Sequence, residues 1–193
     1  MRDTTPISGT QAFNRGFMYR IMELDEQLST LFRDFKVVAG ELEMVNICDL
    51  SDEETIALQS YPGVYRIDVS TAGNSADVSA WIEEFRLEWE HSDFLKKFTP
   101  NFKKKRIAQH RHLNEWMPLY LGKSKNVGKR VLEHINLELD KTTFALKLRA
   151  RPGMSRRIFR LHTLRLPVQN YNLIVPSLES ALRDRFHPLV GKQ

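Results

Sequence analysis

Apolar residues recur every three or four positions through the first part of the chain, over residues 9–36. This spacing places them on one face of an amphipathic helix. The face carries Phe13, Phe17, Ile21, Leu24, Leu28, Leu31 and Phe35. Such a face either packs in the core of its own chain or forms the contact of a homodimer, and packing in the core is the preferred interpretation. The pattern predicts a mostly helical N-terminal extension over residues 1–60.

Two short apolar segments farther along the chain are typical of β-strands. A turn at Gly63 precedes the sequence Val-Tyr-Arg-Ile-Asp-Val, which has the composition of a strand. Alternation along this strand predicts that Tyr65, Ile67 and Val69 share one face of a sheet. The second segment, residues 117–122, is another short apolar strand, and it ends at a glycine.

The segment after the second strand is predicted to be a helix. Asn126 is suited to cap its N-terminus, and apolar residues follow at helical spacing. These residues are Val127, Val131, Leu132 and Ile135. Arg130 and His134 are four positions apart, so they project from the same side of this helix. The N-terminus of a helix also favours anions.

The rest of the chain shows patterns for both strands and helices. A strand over residues 42–47 precedes a helix whose N-cap is Ser51, with Glu54 completing a capping box. A further helix is predicted from Ala76 to Trp89. Toward the C-terminus we expect a helix over residues 142–149, a strand over residues 158–166 and a last helix that contains residues 178–183.

Two tyrosine motifs occur in a defined order relative to these elements. The first reads Pro-Gly-Val-Tyr-Arg-Ile and contains Tyr65, and the second reads Leu-Tyr-Leu-Gly-Lys-Ser and contains Tyr120. Arg130 and His134 follow on the next helix, and Glu179 lies near the C-terminus. Together these residues resemble the GIY-YIG nuclease family, whose members hydrolyse DNA phosphodiesters with a single divalent metal ion.

The resemblance implies an α+β fold with a small three-stranded antiparallel sheet flanked by helices. The match covers residues 61–68 and 117–193, so we expect a nuclease domain over residues 61–193. The family carries its two tyrosine motifs on adjacent hairpin strands, but here the two tyrosines are 55 positions apart. The first hairpin is therefore expected to hold a long helical insertion over about residues 70–115.

The resemblance also implies how the metal ion and the phosphate are bound. Glu179 matches the metal-binding glutamate of the family, and a carboxylate suits the hard cations Mg²⁺ and Mn²⁺. Arg130 matches the arginine of the motif and would contact the scissile phosphate through its fork of donors.

The other matched residues are expected to act on water and protons. Tyr65 would position or deprotonate the attacking water, and deprotonation needs positive charge nearby because the pKa of a phenol is about 10. Lys123 or Arg130 would supply that charge. Tyr120 would orient water or phosphate, and His134 would assist at the phosphate or relay a proton.

The C-terminus departs from the family pattern. Many members carry an asparagine three residues after a late proline, and this chain has Gly191 there, after Pro188. The preferred interpretation is a DNA endonuclease of the restriction or defence type, because His134 matches a histidine of the restriction-enzyme-like branch. A structure-specific repair or recombination nuclease is one alternative. A non-catalytic nucleic-acid-binding protein on the same fold is another.

The charge of the chain is unevenly distributed. Residues 1–95 contain 7 Lys and Arg against 18 Asp and Glu, a net charge of −11, whereas residues 96–193 contain 22 against 6, a net charge of +16. The basic half would attract a polyanion such as double-stranded DNA. A basic run within it interleaves Phe98 and Phe102 with lysines, as in segments that follow phosphates or stack on bases; an exposed loop is the alternative. Its candidate DNA-binding residues are Lys97, Lys103, Lys104, Lys105 and Arg106.

Composition limits the class of protein and its compartment. The chain has 193 residues, of which 41% are hydrophobic, so it can form a core. It has one cysteine, Cys48, which leaves no internal disulfide framework and suits the reducing cytoplasm. Its apolar runs are shorter than the roughly 20 residues of a membrane helix. We therefore expect a cytoplasmic protein without a membrane span.

Overall fold

The computed structural model describes residues 9–73, 77–94 and 98–191, with side chains from residue 15 onward. They form an α+β fold. The strands are β1 (Val45–Asp49), β2 (Gly63–Ser70), β3 (Asn101–Phe102), β4 (Trp116–Ser124), β5 (Phe159–Arg165) and β6 (Val190–Gly191). The helices are α1 (Gly9–Glu41), α2 (Glu53–Ala57), α3 (Val78–Trp89), α4 (Lys104–Ile107), α5 (Val127–Asn136) and α6 (Tyr171–Phe186).

The main sheet is antiparallel and has the strand order β1-β5-β2-β4. The predicted adjacency of the two tyrosine strands is confirmed, since β2 and β4 pair directly. The sheet has four strands among the described residues and not three, because β1 pairs with β5. Leu50 and Ile56 are buried in the same core as Tyr65. Residues 45–57 thus pack with the sheet.

The two faces of the sheet carry different cores. Tyr65, Ile67 and Val69 share one face, as the alternation predicts, and pack with residues of α2, α3 and α5. Val64 faces the opposite side and packs against α6. Strand β4 lies at the edge of the sheet. Side chains from either face can therefore approach each other around this edge.

The long connection between β2 and β4 contains α3, β3 and α4. Trp81, Phe85 and Trp89 of α3 are buried in the core, which fixes the helix to the sheet. Leu87 of the same helix is 64% exposed and lies outside this core. Phe102 is half-buried with its ring centroid 6.0 Å from that of Phe85, and it is a core residue and not a stacking platform for bases.

The first helix, α1, packs on the rest of the chain near its C-terminal end. Ala39 is buried against α6, and Arg185 donates a hydrogen bond to the Ala39 carbonyl at 2.9 Å. The predicted apolar face is exposed at Phe17, Ile21 and Leu24, so its packing in the core is wrong there. The side chain of Phe13 lies outside the described residues. None of the described helices has the length and apolar character needed to cross a bilayer.

Local hydrogen bonds explain two further departures from the sequence predictions. Asp52, and not Ser51, caps α2, since its carboxylate accepts from the Thr55 amide at 3.0 Å. Residues 142–149 do not form the predicted helix. Their amides bond to other parts of the chain instead, and the amides of Leu146 and Leu148 both donate to His134.

Candidate active site

Tyr65 and Tyr120 lie on the same face of the sheet because of a β-bulge. The ladder pairs Ile67 of β2 with Tyr120 of β4, so Tyr120 shares the face of Tyr65. The next residue of β2, Asp68, pairs with Pro118, so Leu119 of β4 has no partner in the ladder and is the extra residue of the bulge. Strict alternation from Met117 would have placed Tyr120 on the opposite face. The bulge brings the two tyrosine ring centroids to 6.1 Å.

Gly122 provides the space that the two tyrosine rings occupy. It lies opposite Tyr65 in the ladder. A Cβ atom at this position would lie 2.7 Å from Oη of Tyr65 and 2.8 Å from Cε1 of Tyr120. Both distances are shorter than van der Waals contact, so a larger residue would displace the rings. This gives a physical reason for the glycine of the second motif.

His134 is fully buried and holds Tyr65 through a defined tautomer. Its Nδ1 accepts a hydrogen bond from the Leu146 amide at 2.9 Å, and its Nε2 lies 2.8 Å from Oη of Tyr65. A backbone amide can only donate, so Nδ1 carries no proton and Nε2–H donates to Tyr65. Burial, helped by the charge of Arg130, lowers the pKa of His134 well below its usual value. His134 is therefore a neutral donor.

Burial dominates the protonation of both tyrosines. It raises the pKa of Tyr65 well above its usual value, and Arg130 opposes this through its charge and hydrogen bonding. Burial also raises the pKa of Tyr120, again against the effect of Arg130. The positive charge of Arg130 does not outweigh burial, so the expected net lowering of the Tyr65 pKa is wrong for the protein without substrate. Tyr65 is a neutral phenol here.

Arg130 is held on α5 beside the tyrosine pair. One guanidinium nitrogen, Nη1, forms an ion pair with Glu133, and Nη2 donates to the Phe144 carbonyl. The side chain stays 22% exposed. A guanidinium fixed on two sides and open on a third can present its remaining donors to an anion.

Lys123 and Glu179 form an ion pair at the β4 edge of the sheet. Lys123 lies opposite Val64, on the face that α6 covers. Its Nζ donates to Oε2 of Glu179 at 2.6 Å, and Nη2 of Arg183 lies 3.9 Å from the same oxygen. Glu179 is buried and contributes to the raised pKa of Tyr65. Of the six predicted catalytic residues, Tyr65, Tyr120, Arg130 and His134 lie together on one side of the sheet, and Lys123 and Glu179 pair at the β4 edge on the side of α6.

Glu179 is the predicted metal ligand, and it offers one carboxylate group to a cation. The described residues contain no group of three or more His, Cys, Asp or Glu side chains able to hold a metal ion. A buried carboxylate suits Mg²⁺ or Mn²⁺. A single carboxylate fits a cation that takes its remaining ligands from substrate phosphate and water. In this structure the charge of Lys123 neutralises the carboxylate.

The structure also brings Arg106 toward this site. A Cβ atom on Gly191 would lie 2.8 Å from Nη1 of Arg106. That nitrogen is buried and has no hydrogen-bond partner among the described residues. Burial and the charge of Arg183 lower the pKa of Arg106, while Asp184 and Glu179 oppose the shift. The sequence placed Arg106 only in the basic run, and its proximity to Gly191 is a tertiary contact without a local signal.

The other candidate DNA-binding residues lie on or beside α4. Lys104 and Lys105 are exposed, and Lys103 is half-buried. Lys97 lies outside the described residues.

Comparison of the chain with protein-family models, curated proteins and solved structures found no match. The functional interpretation therefore depends on the site geometry and the motif resemblance.

Proposed function

We propose that this chain is a metal-dependent DNA endonuclease of the GIY-YIG type that hydrolyses phosphodiesters of double-stranded DNA. One observation carries the proposal: the two motif tyrosines lie side by side on one face of the sheet. A neutral His134 is hydrogen-bonded to Tyr65, and the charge of Arg130 acts on the Tyr65 pKa. Glu179 lies at the β4 edge of the sheet, paired with Lys123. Strands β5, β2 and β4 would correspond to the three-stranded sheet of the family, with β1 added.

A phosphate would meet the exposed cations first. The Lys123 side chain is 36% exposed and that of Arg130 is 22% exposed, whereas Tyr65 is 1% exposed. Lys123 and Arg130 would therefore neutralise the approaching phosphate, with Tyr120 next to them. Tyr65 would become accessible only when a neighbouring side chain moves on substrate binding.

Hydrolysis requires that a water oxygen attacks phosphorus, that the bond to the leaving oxygen breaks and that this oxygen gains a proton. The neutral Tyr65 accepts a hydrogen bond from His134 and keeps its own proton to donate. This arrangement suits positioning of the water or phosphate, and His134 acts by orienting the phenol. Arg130 would stabilise the negative charge that develops on the phosphate oxygens.

Glu179 would hold the divalent cation. When bound, the cation would supply charge neutralisation at the phosphate and lower the pKa of a coordinated water. Lys123 now holds the Glu179 carboxylate and would be freed to contact phosphate. We assign Arg106 to the same substrate: its Nη1, which has no hydrogen-bond partner among the described residues, lies beside Gly191, at the position where many family members carry an asparagine. That nitrogen is buried, so a phosphate oxygen would satisfy it only after a neighbouring side chain moves on substrate binding.

The proposal is tested by incubating the protein with supercoiled plasmid and with short duplexes, in Mg²⁺, in Mn²⁺ and in EDTA. We expect nicking or linearisation with either cation and none with EDTA. Arg130→Ala should reduce the cleavage rate by about a hundredfold or more, since a lost electrostatic donor costs a few kcal/mol. Arg149→Ala is the matched control, because Arg149 is an exposed arginine paired with Glu53.

The choice of substrate separates the restriction or defence type from a repair nuclease. Cleavage of intact plasmid at recurring positions supports the former. Cleavage of branched or nicked duplexes alone would support the latter. DNA binding without cleavage under every condition would favour a non-catalytic binding protein and would contradict the proposal.

A further inference from the structure

The first helix presents an apolar seam that the described residues leave mostly exposed, with Leu28 and Phe35 half-buried. Phe17, Ile21, Leu24, Leu31 and Val38 are between 42% and 58% exposed. The helix has 33 residues, or about 50 Å at 1.5 Å per residue. It packs on α6 near its C-terminal end, around Ala39. An isolated helix gains little from propensity alone and needs packing of its apolar face.

The spacing of the seam is that of a coiled coil and not only of an amphipathic helix. Successive members are separated by alternating intervals of four and three positions over three heptads. They are Phe17, Ile21, Leu24, Leu28, Leu31, Phe35 and Val38. A helix that packs on a globular core usually shows a broader stripe, whereas a strict 3.5-residue repeat matches a seam between helices. Large exposed apolar patches mark interaction sites.

The charged residues beside the seam indicate a second copy of this chain as the partner. In a parallel pair, Arg20 of one helix lies beside Asp25 of the other, and symmetry makes this contact twice. The other flanking pair along the exposed part of the helix, Gln27 with Phe32, contains no like charges, whereas Ala39 is buried against α6. In the antiparallel register that sets Phe17 beside Phe35, Arg20 would lie beside Asp34, but the two copies of Asp25 would face each other. The charges therefore favour the parallel arrangement over this antiparallel register.

The attachment of the domain leaves most of this seam exposed. Ala39, Gly40 and Lys36 lie on the side of α1 that faces α6. Asp34 and Val38 lie on the side that remains exposed. A second helix that contacts this exposed side would therefore not compete with α6 for Ala39 or Gly40.

We propose that residues 17–38 form a parallel two-stranded coiled coil between two copies of this chain. Sedimentation equilibrium of the full chain should give a dimer. Leu24→Asp should shift the protein to monomer, because it places an acid in the seam. Tyr19→Asp is the matched control: Tyr19 is exposed on the outer side of the same helix, and the dimer should persist. A monomeric wild type, or loss of the dimer in Tyr19→Asp alone, would overturn the proposal.

Charge reversal tests the orientation without altering the apolar seam. Arg20→Glu and Asp25→Arg should each weaken the dimer by about threefold to tenfold, and the double variant should restore it. In an antiparallel pair the double variant would not restore it. Phe17→Cys in a Cys48→Ser background should form an intermolecular disulfide under mild oxidation. An antiparallel pair would separate these two thiols by about 27 Å at 1.5 Å per residue and would give none, which would overturn the orientation.

Discussion

The hydroxyl of Tyr65 lies 2.7 Å from the point where Gly122 would carry a Cβ atom. The absence of a side chain at Gly122 is therefore what allows the two tyrosine strands to place their rings together. A Cβ atom on Gly122 would also lie 2.8 Å from Cε1 of Tyr120. The motif glycine is thus a condition for the site and not only a turn residue.

Gly122→Ala tests this relationship. The added methyl group should push Tyr65 away from His134, lowering the free energy of unfolding by about 1–3 kcal/mol and the cleavage rate with it. Denaturant unfolding and plasmid cleavage measure the two effects. Gly40→Ala is the matched control, because Gly40 lies in a helix with nothing within 4 Å of the added atom. The control should be neutral or slightly stabilising. Equal stability and activity in Gly122→Ala would contradict the packing account.

The protonation of His134 predicts how stability depends on pH. Its pKa is lowered in the folded protein, so the unfolded chain takes up the proton at a higher pH. Stability from this site is complete above the unfolded pKa of about 6.5 and is lost as the pH falls toward the folded pKa, by up to about 1.4 kcal/mol per pH unit. His134→Gln should flatten this part of the profile. Denaturant unfolding between pH 4 and 8 measures it.

His112→Gln is the control for this experiment, because His112 is an exposed histidine of the same chain. It should leave the slope of stability against pH as in the wild type. If His134→Gln and the wild type showed the same slope below about pH 6, the buried neutral histidine would be contradicted.

Alternation and spacing were sufficient to predict several features of the fold. They placed Tyr65, Ile67 and Val69 on one face, and they placed Arg130 and His134 on one helix after the second strand. These features depend on local periodicity, which a sequence displays directly. The pairing of β2 with β4 was predicted from the motif resemblance despite the long connection.

Other features depend on tertiary contacts that leave no periodic signal. The bulge at Leu119 decides the face of Tyr120; Pro118 beside it is compatible with an edge strand or a bulge, but it does not specify where the register shifts. The segment around Leu146 has a helix-compatible composition, yet His134 accepts its amide. The apolar face of α1 predicts a helix that packs against a partner, and only the structure shows that the described residues leave most of this face exposed.

The exposed lysines of α4 are predicted to bind phosphates. Changing Lys104 and Lys105 to Gln should weaken DNA binding and reduce the slope of log K against log salt concentration by about two. Titrations of a labelled duplex at several salt concentrations measure this slope. Lys141→Gln with Arg149→Gln removes two exposed cations outside the basic run and should not change it. An unchanged slope in the Lys104 and Lys105 variant would show that the run is an ordinary exposed surface.

Arg106 is predicted to act on cleavage more than on binding. Arg106→Lys keeps the positive charge but removes the fork of donors that faces Gly191, so the cleavage rate should fall by about tenfold or more while affinity changes little. Single-turnover cleavage at saturating protein separates the two quantities. A parallel loss in affinity and rate would instead place Arg106 with the general phosphate contacts.

The most direct test of the central claim compares binding and cleavage of one labelled duplex by the wild type and by Glu179→Gln. The substitution keeps the shape of the side chain but removes the carboxylate that would hold the cation. Glu138→Gln, which changes an exposed glutamate two residues after the end of α5, is the control. We predict that Glu179→Gln binds the duplex nearly as tightly as the wild type and does not cleave it in Mg²⁺ or Mn²⁺. Cleavage by Glu179→Gln at the wild-type rate would contradict the assignment of this site.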